Sequence, residues 1–430
     1  MQTGSGVSVA SRIFLTFVLT SAALDLPIHA QTFKVLHTFH TDEGLYQPFG
    51  QLVLDAKGNL YGIAAGGNLC YKKNTCGTAF EMNKSGTLMG VFRFDDGPDG
   101  NGPAGGLLRD ATGNFFGVTV SGGVNTKACD DDGEGICGVV YKLNAVGKET
   151  VLHRFTNTPD GEAPESLLVE DSAGNLYGTT LWGGVNFGTV FKVDQVGNET
   201  ILYTFTGQAD GGNPYAGVIL DSSGNLYGTT AYGGNTGCGS ISGQGCGAVY
   251  QLNPDGQETL LYAFQWGTDG AFPSSGLMED AAGNLYGEAK LGGNEQVYNC
   301  EGYEGCGVVY ELAPGAKYTV LYAFNYSDGF LPTGGLVRDT AGNLYGTTEF
   351  GGTYSPNCQY GDNCGVVFKL DTAGNETVLH AFSGGTDGAA PDGGLVMDAS
   401  GNLYGTTESG GDTQCQPTRG GCGVVFEITP

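Results

Sequence analysis

Basic residues are scarce. Lys and Arg number 18 against 45 Asp and Glu, which leaves the 430-residue chain with a formal net charge of −27. Nucleic acid and anionic lipid are held by Lys/Arg patches, so no nucleic-acid partner is expected, and the natural partners are neutral or cationic. The plain reading of the charge is that it keeps an exported protein soluble. His is rare as well, at 5 residues, and no nucleophile–base arrangement or phosphate-cradling Gly loop can be picked out. Beyond the N-terminus no apolar run approaches the roughly 20 residues of a helical span, so no membrane span is expected.

What the chain has in abundance is Gly, at 78 residues, beside 22 Tyr and 22 Phe. Collagen would require Gly at every third position, and a disordered chain would lack the aromatics. A turn-rich all-β protein fits both. Residues 1–30 read as a signal peptide. Arg12 precedes the apolar run Ile13–Ala23, and Ile28-His29-Ala30 resembles a cleavage site. The expected location is therefore secreted, periplasmic or extracellular.

The remainder, 31–430, is built from one unit. In Gly393-Gly-Leu-Val-Met-Asp398-Ala-Ser-Gly-Asn402-Leu-Tyr-Gly-Thr-Thr407, two short apolar runs flank Asp, Gly and Asn, which form turns. The pattern reads as a tight hairpin. Its Gly-Asn pair recurs at 58–59, 113–114, 174–175, 224–225, 283–284, 342–343 and 401–402. Each copy carries four β-like runs. A Gly-rich loop separates the second from the third, and an Asp-Gly…Pro segment leads to the next copy. Four antiparallel strands repeated seven times predict a seven-bladed β-propeller forming one domain, because a single blade cannot bury both faces of its sheet. The last copy stops after its third run at Pro430. Phe33-Lys-Val-Leu-His-Thr-Phe39 matches the fourth-run pattern Thr377-Val-Leu-His-Ala-Phe382. The N-terminal strand is thus expected to complete the last blade and cover its free edge.

Twelve Cys form six local pairs: Cys70/Cys76, Cys129/Cys137, Cys238/Cys246, Cys300/Cys306, Cys358/Cys364 and Cys415/Cys422. All lie between second and third runs. The third copy has a shorter loop, with Phe187 where the second Cys would be. Disulfides pinning long loops in an oxidising compartment are expected, each worth roughly 2 kcal/mol. Zinc is disfavoured, since the spacings are not Cys-x-x-Cys and no His accompanies them.

The run Gly-Gly-Leu-Val-x-Asp-x-x-Gly-Asn-Leu-Tyr-Gly-Thr-Thr, then Gly-Val-Val-Phe-Lys-Leu, then Glu-Thr-Val-Leu-His-x-Phe, resembles the Gloeo-Verruco tandem repeat of exported bacterial proteins. The resemblance covers residues 33–430 and implies export and a propeller-like fold. It brings no catalytic residues with it.

Antiparallel order sorts the loops onto two faces, and the variable, Cys-pinned face is the candidate for binding. It also carries Asp99, Asp160, Asp210, Asp269, Asp328 and Asp387, each in Asp-Gly-x-x-Pro. Near an axial opening these would focus negative potential on a cationic, amine- or hydroxyl-rich ligand. The plainer reading is turn formation, because a site usually breaks symmetry and a fold requirement repeats. Asp130, Asp131 and Asp132 break it. They form the one Ca²⁺ candidate, beside the plainer reading of a solvated acidic loop; no other metal or cofactor is expected. Loop aromatics also break it: Trp182, Phe187, Tyr232, Trp266, Phe272, Tyr298, Tyr303, Phe330, Tyr354 and Tyr360, with Trp182 and Trp266 the ligand candidates. Sugars or hydrophobic partners stack on such rings, although packing between blades would use them equally well. His37, His153 and His380 share a fourth-run slot with Tyr203, Tyr262 and Tyr322, which marks the slot as structural. The function expected is a non-catalytic, monomeric binder of carbohydrate or protein. A polysaccharide hydrolase or lyase using the axial Asp residues is the alternative, and a structural surface protein is a third.

Overall fold

The seven Asp-x-x-Gly-Asn turns are built alike. Asp55 Oδ1 accepts from the Lys57 and Asn59 N–H groups, both at 2.8 Å. Its Oδ2 accepts from the Asn59 amide at 3.0 Å and the Tyr61 hydroxyl at 3.3 Å. Gly58 holds φ at 83°, a backbone that side chains resist. Equivalent bonds surround Asp171, Asp221, Asp280, Asp339 and Asp398. Asp110 lacks only the phenol, because Phe116 stands there. Partial burial pushes these carboxyl pKa values up. The hydrogen bonds outweigh it and hold all seven below the usual range.

The computed structural model describes residues 1, 2 and 4 and residues 31–430, apart from 41–42, 44, 66–76, 95–98, 124–136, 235–237, 239–244, 295–299, 301–304, 359–362 and 416–419. The expected export signal falls almost wholly outside the described residues, as do Cys70, Cys76, Cys129 and Asp130 to Asp132. The strands belong to one compact unit, Gln31–Pro430. They are antiparallel within four-stranded groups, and the described residues contain no α-helix. The fourth group shows the pattern: Ile219–Leu220, Leu226–Thr230, Ala248–Leu252 and Glu258–Ala263 pair in that order. In the last group the fourth strand is Thr32–Thr38, which pairs antiparallel with Val424–Thr429, from Thr32 opposite Thr429 to Thr38 opposite Val424. The first and second groups are not separate sheets. Pro48–Leu54 and Asn101–Arg109 meet in parallel at Gln51 and Gly106, making one eight-stranded sheet. Glycine permits the approach: a Cβ at Gly50 would stand 3.0 Å from the Gly106 nitrogen.

Adjacent groups are tied by one repeated contact. The phenylalanine ending each fourth strand (Phe39, Phe94, Phe155, Phe205, Phe264, Phe324, Phe382) is at most 1 % exposed. Each meets the third-strand aromatic of the next group edge to face, with ring centroids 4.9–5.4 Å apart. Phe39, from the N-terminal strand, meets Phe80 of the first group. The partner rings lie over the glycine of Leu-Tyr-Gly, where any Cβ would overlap them. That packing accounts for the glycine inside an otherwise good strand.

Four disulfides lie within the described residues: Cys238–Cys246, Cys300–Cys306, Cys358–Cys364 and Cys415–Cys422, with Cα atoms 5.3–5.5 Å apart. Cys137 is also disulfide-bonded. No described helix is long and apolar enough to cross a membrane. The disulfides are consistent with an extracellular or secreted protein.

Two outcomes are expected. Gly178→Ala should cost about 1–3 kcal/mol in urea unfolding, and Phe191→Leu in the same chain should recover part of it. Stability should also peak on the acid side of neutrality. The depressed turn aspartates contribute stability above about pH 3.9 that is lost as pH falls through their folded values. Glu149, Glu199 and Glu376 are pushed the other way, to about 7, by burial, with Asp99, Asp160 and Asp328 respectively adding to it. Their contribution is present below about pH 4.3 and lost as pH rises through 7. Melting curves from pH 3 to 8 should therefore peak near pH 4.5–6, whereas a steady rise to pH 8 would contradict the assignment.

Candidate functional site

A cavity of about 780 Å³ is lined by the innermost segments of all seven groups. Each segment enters it through the same device. The residue before the proline has a left-handed backbone in every copy: Gln47, Ala163, Asn213, Phe272, Leu331 and Ala390 at φ 53–56°, and Gly102 at 67°. Six non-glycine residues in this region would be costly if unsupported. Support comes from the preceding group. The N–H groups of Gln47, Phe272, Leu331 and Ala390 donate to the carbonyls of Cys422, Cys246, Cys306 and Cys364 at 2.9–3.3 Å. In the loop without cysteines, Asn213 N–H donates to Phe187 at 2.8 Å. Each proline then packs on the glycine that precedes the third strand of the preceding group, from Pro103 on Gly77 to Pro48 on Gly423. The loops before the third strands, four of them cystine-closed, thus fix where five of the innermost segments begin.

The residue after each proline faces the cavity, and here the repeats diverge. The seven are Phe49, Ala104, Glu165, Tyr215, Ser274, Thr333 and Asp392. Three residues further on, the side chain is always Leu or Val, from Leu52 to Leu395, and is buried. Lys290 lines the same cavity, and its ammonium makes no ion pair among the described residues. Burial raises the Glu165 carboxyl pKa. Burial, then Tyr232 and Glu165, raise that of Tyr215, which is 36 % exposed. The Ser274 and Thr333 hydroxyl oxygens are buried with no partner among the described residues.

Glu288 lies one layer behind this wall and is fully buried. Its Oε2 accepts from the Gly335 N–H at 2.9 Å, and Oε1 has no partner. Burial pushes its pKa up to about 8, against the hydrogen bond from Gly335, so the neutral acid dominates at pH 7.

The sequence model of the Gloeobacter/Verrucomicrobia repeat matches residues 127–296 and again 242–417. The chain belongs to this repeat family. No curated protein matches it significantly. Among solved structures it is similar to the extracellular domain of a protein described as a one-component system from B. thetaiotaomicron. That likeness has TM-score 0.50 and 9% identity, over 91% of this chain and 39% of that one. It is also similar to a luciferin-regenerating enzyme (TM-score 0.42, 12% identity, 93% and 96% covered) and to a gluconolactonase from Xanthomonas campestris (0.40, 15%, 76% and 84%). At such identities the first likeness concerns the fold alone, and the other two carry no argument.

In this Gloeobacter/Verrucomicrobia repeat protein the Asp-Gly aspartates do not line the cavity. Five are bonded to their own fourth strand. Asp160 accepts from the Thr156 hydroxyl at 2.8 Å and meets His153 Nε2 at 3.3 Å. Asp387 meets His380 at 3.2 Å and also accepts from the Ser383 N–H and hydroxyl. Asp210, Asp269 and Asp328 accept from Tyr203, Tyr262 and Tyr322 at 3.2, 2.7 and 2.8 Å. Asp99 lies near Glu149 of the next group's fourth strand. Those five therefore close the turn after their own fourth strand, in line with the plainer reading of the motif. The His/Tyr slot is the other half of the same contact, and His37 uses Glu43 instead, at 3.3 Å. Trp182 is 43 % exposed, with its backbone paired to Glu162. Trp266 packs edge-on to Phe272, and Phe272 to Tyr232. Phe330, expected on an exposed loop, is fully buried in an added strand, Phe330–Pro332, beside Phe350. Sequence reasoning missed the residue after each proline and Glu288. In both cases the available signal was variation at one offset between constant neighbours.

Asp160→Ala and Asp387→Ala are expected to lower stability by about 1–3 kcal/mol in urea unfolding. They should leave any affinity of the cavity unchanged. A loss of affinity at unaltered stability would return them to the ligand site.

Proposed function

We propose that the protein is an exported, closed seven-bladed β-propeller that binds a carbohydrate in its axial channel without transforming it. The ring of seven dissimilar residues behind identical prolines carries this reading. A fold requirement repeats, whereas this ring holds two aromatic rings, two carboxylates, two hydroxyls and a methyl. Aromatic faces beside hydroxyls and carboxylates suit a neutral polyhydroxylated ligand. A cavity of about 780 Å³ is of the size that takes a small molecule or chain end, which favours a sugar over a folded protein. Closure is supported by the Phe39–Phe80 contact and by Pro48 on Gly423, which join the seventh group to the first as the other groups are joined. The binding reading is also supported by the turn role of the repeated aspartates. No cofactor or second subunit is part of it.

A glycan array run with incubation on the same polysaccharides tests this. Retention without product is expected. Tyr215→Ala should weaken retention about tenfold at unchanged melting temperature, the upper end of what one aromatic contact contributes, and Phe49→Ala should weaken it similarly with some loss of stability, since Phe49 also packs on the core. Release of product, or retention indifferent to both substitutions, would contradict it.

A further inference from the structure

We propose that the junction of the fourth and fifth groups carries an outer subsite, built on Tyr232, Phe272 and Trp266, over which a neutral oligosaccharide runs from the channel to the rim. This rests on the channel reading and deepens it: the ligand is an extended chain, longer than a disaccharide.

Two bulky rings stand here in slots that the repeat gives to small residues. The second residue after the phenylalanine that ends a fourth strand has a left-handed backbone at Asn157 (φ 76°), Gly207 (71°), Trp266 (66°) and Gly384 (71°). Asn and Gly tolerate that backbone, whereas a bulky side chain there is a genuine outlier. Phe272, at φ 56°, is the one aromatic among the seven residues that precede the innermost prolines. The two rings meet edge to face with centroids 5.9 Å apart. The junction of the sixth and seventh groups also has a cystine loop, yet closes with Gly384 and Ala390 in these two slots. Packing therefore does not demand rings there. Strain kept where smaller residues would serve points to function.

The rings connect to the cavity. Phe272 meets Tyr232 edge to face at 5.4 Å. Tyr232 exchanges backbone hydrogen bonds with Gly212 at 3.0 and 3.1 Å, and the Ala231 N–H donates to the Asn213 carbonyl at 3.1 Å. Tyr215, two residues beyond Asn213, lines the cavity. Burial and then the nearby Tyr232 phenol raise its pKa. Four aromatic side chains thus follow one another from the cavity through Tyr232 and Phe272 to Trp266. Tyr215 is exposed and the other three are half-buried, so each keeps part of its surface in solvent. No other junction has more than one aromatic in the four corresponding slots. Sugars lay their apolar faces on such rings, and the two phenol hydroxyls serve the sugar hydroxyls as donors and acceptors. The strip opens onto a cavity lined by Glu165, Asp392 and Lys290, whose polar groups an apolar ligand would leave unsatisfied.

The chain has two tryptophans, so Trp182→Phe leaves Trp266 as the sole indole reporter without touching the subsite. That variant, with its disulfides intact, is titrated with cellohexaose, mannohexaose and xylohexaose and with cellobiose, mannobiose and xylobiose, affinity being taken from calorimetry. A hexaose that binds should shift the Trp266 emission with a midpoint matching its calorimetric Kd, while its disaccharide leaves the emission unchanged. In the parent chain Trp266→Ala should weaken that hexaose about tenfold and leave its disaccharide unaffected. Trp266→Tyr should stay within about threefold of the parent. Should Trp266→Ala also lower the melting temperature, the emission titration still decides. A hexaose that binds without moving the emission sinks the outer subsite; if Tyr215→Ala weakens that same hexaose, the channel reading stands. If none of the six sugars binds, both fall.

Discussion

Phenylalanine against aromatic, edge to face, is the contact on which the rest of the molecule depends. It occurs seven times at nearly one geometry, and it dictates what surrounds it. The receiving ring requires glycine in the strand beneath. The phenylalanine's N–H donates to the glycine carbonyl at the start of its own third strand, as in Phe264 to Gly247 at 3.1 Å. That glycine in turn leaves room for the next group's proline. A single hydrophobic pair thus propagates into the three glycine and proline positions that make the repeat recognisable.

The same rigidity makes variation affordable at one place. From loop to left-handed residue to proline, the backbone entering the cavity is fixed by contacts with the preceding group. The residue after the proline differs in chemistry from copy to copy, and only Phe49 and Ala104 of the seven also pack into the core. Binding residues set on a rigid frame are the usual solution. On the binding reading proposed above the frame is the repeat itself, and the disulfides brace the cavity wall as well as the loops they close.

Much of this was legible in the chain. The Asp-x-x-Gly-Asn turns, the four-run unit, the local cysteine pairs and the match of Phe33–Phe39 to a fourth strand all follow from local rules, and local rules are what a sequence displays. For the Asp-Gly aspartates a turn reading stood beside a ligand reading, and the chain could not name their partners, because His153 or Tyr262 lie seven residues upstream across a bend. The union of the first two groups at Gln51 and Gly106 was not legible, since it depends on two backbones meeting through glycines far apart in sequence. Glu288 was hidden for a related reason. A carboxylate in a strand looks like a solvated side chain until its neighbours are known to be Gly346, Gly335 and Ser275.

Native-state hydrogen exchange offers the most direct test of closure. The Phe39 N–H donates to Gly423 at 3.1 Å, across the two ends of the chain, while Phe264 and Phe324 make the same bond mid-chain at 3.1 and 3.0 Å. If the ends are locked together as the other groups are, the three amides should be protected to within about tenfold, opening with the whole domain. Exchange of Phe39 about a hundredfold or more faster than the other two would show a seam that opens alone, and would contradict a closed ring.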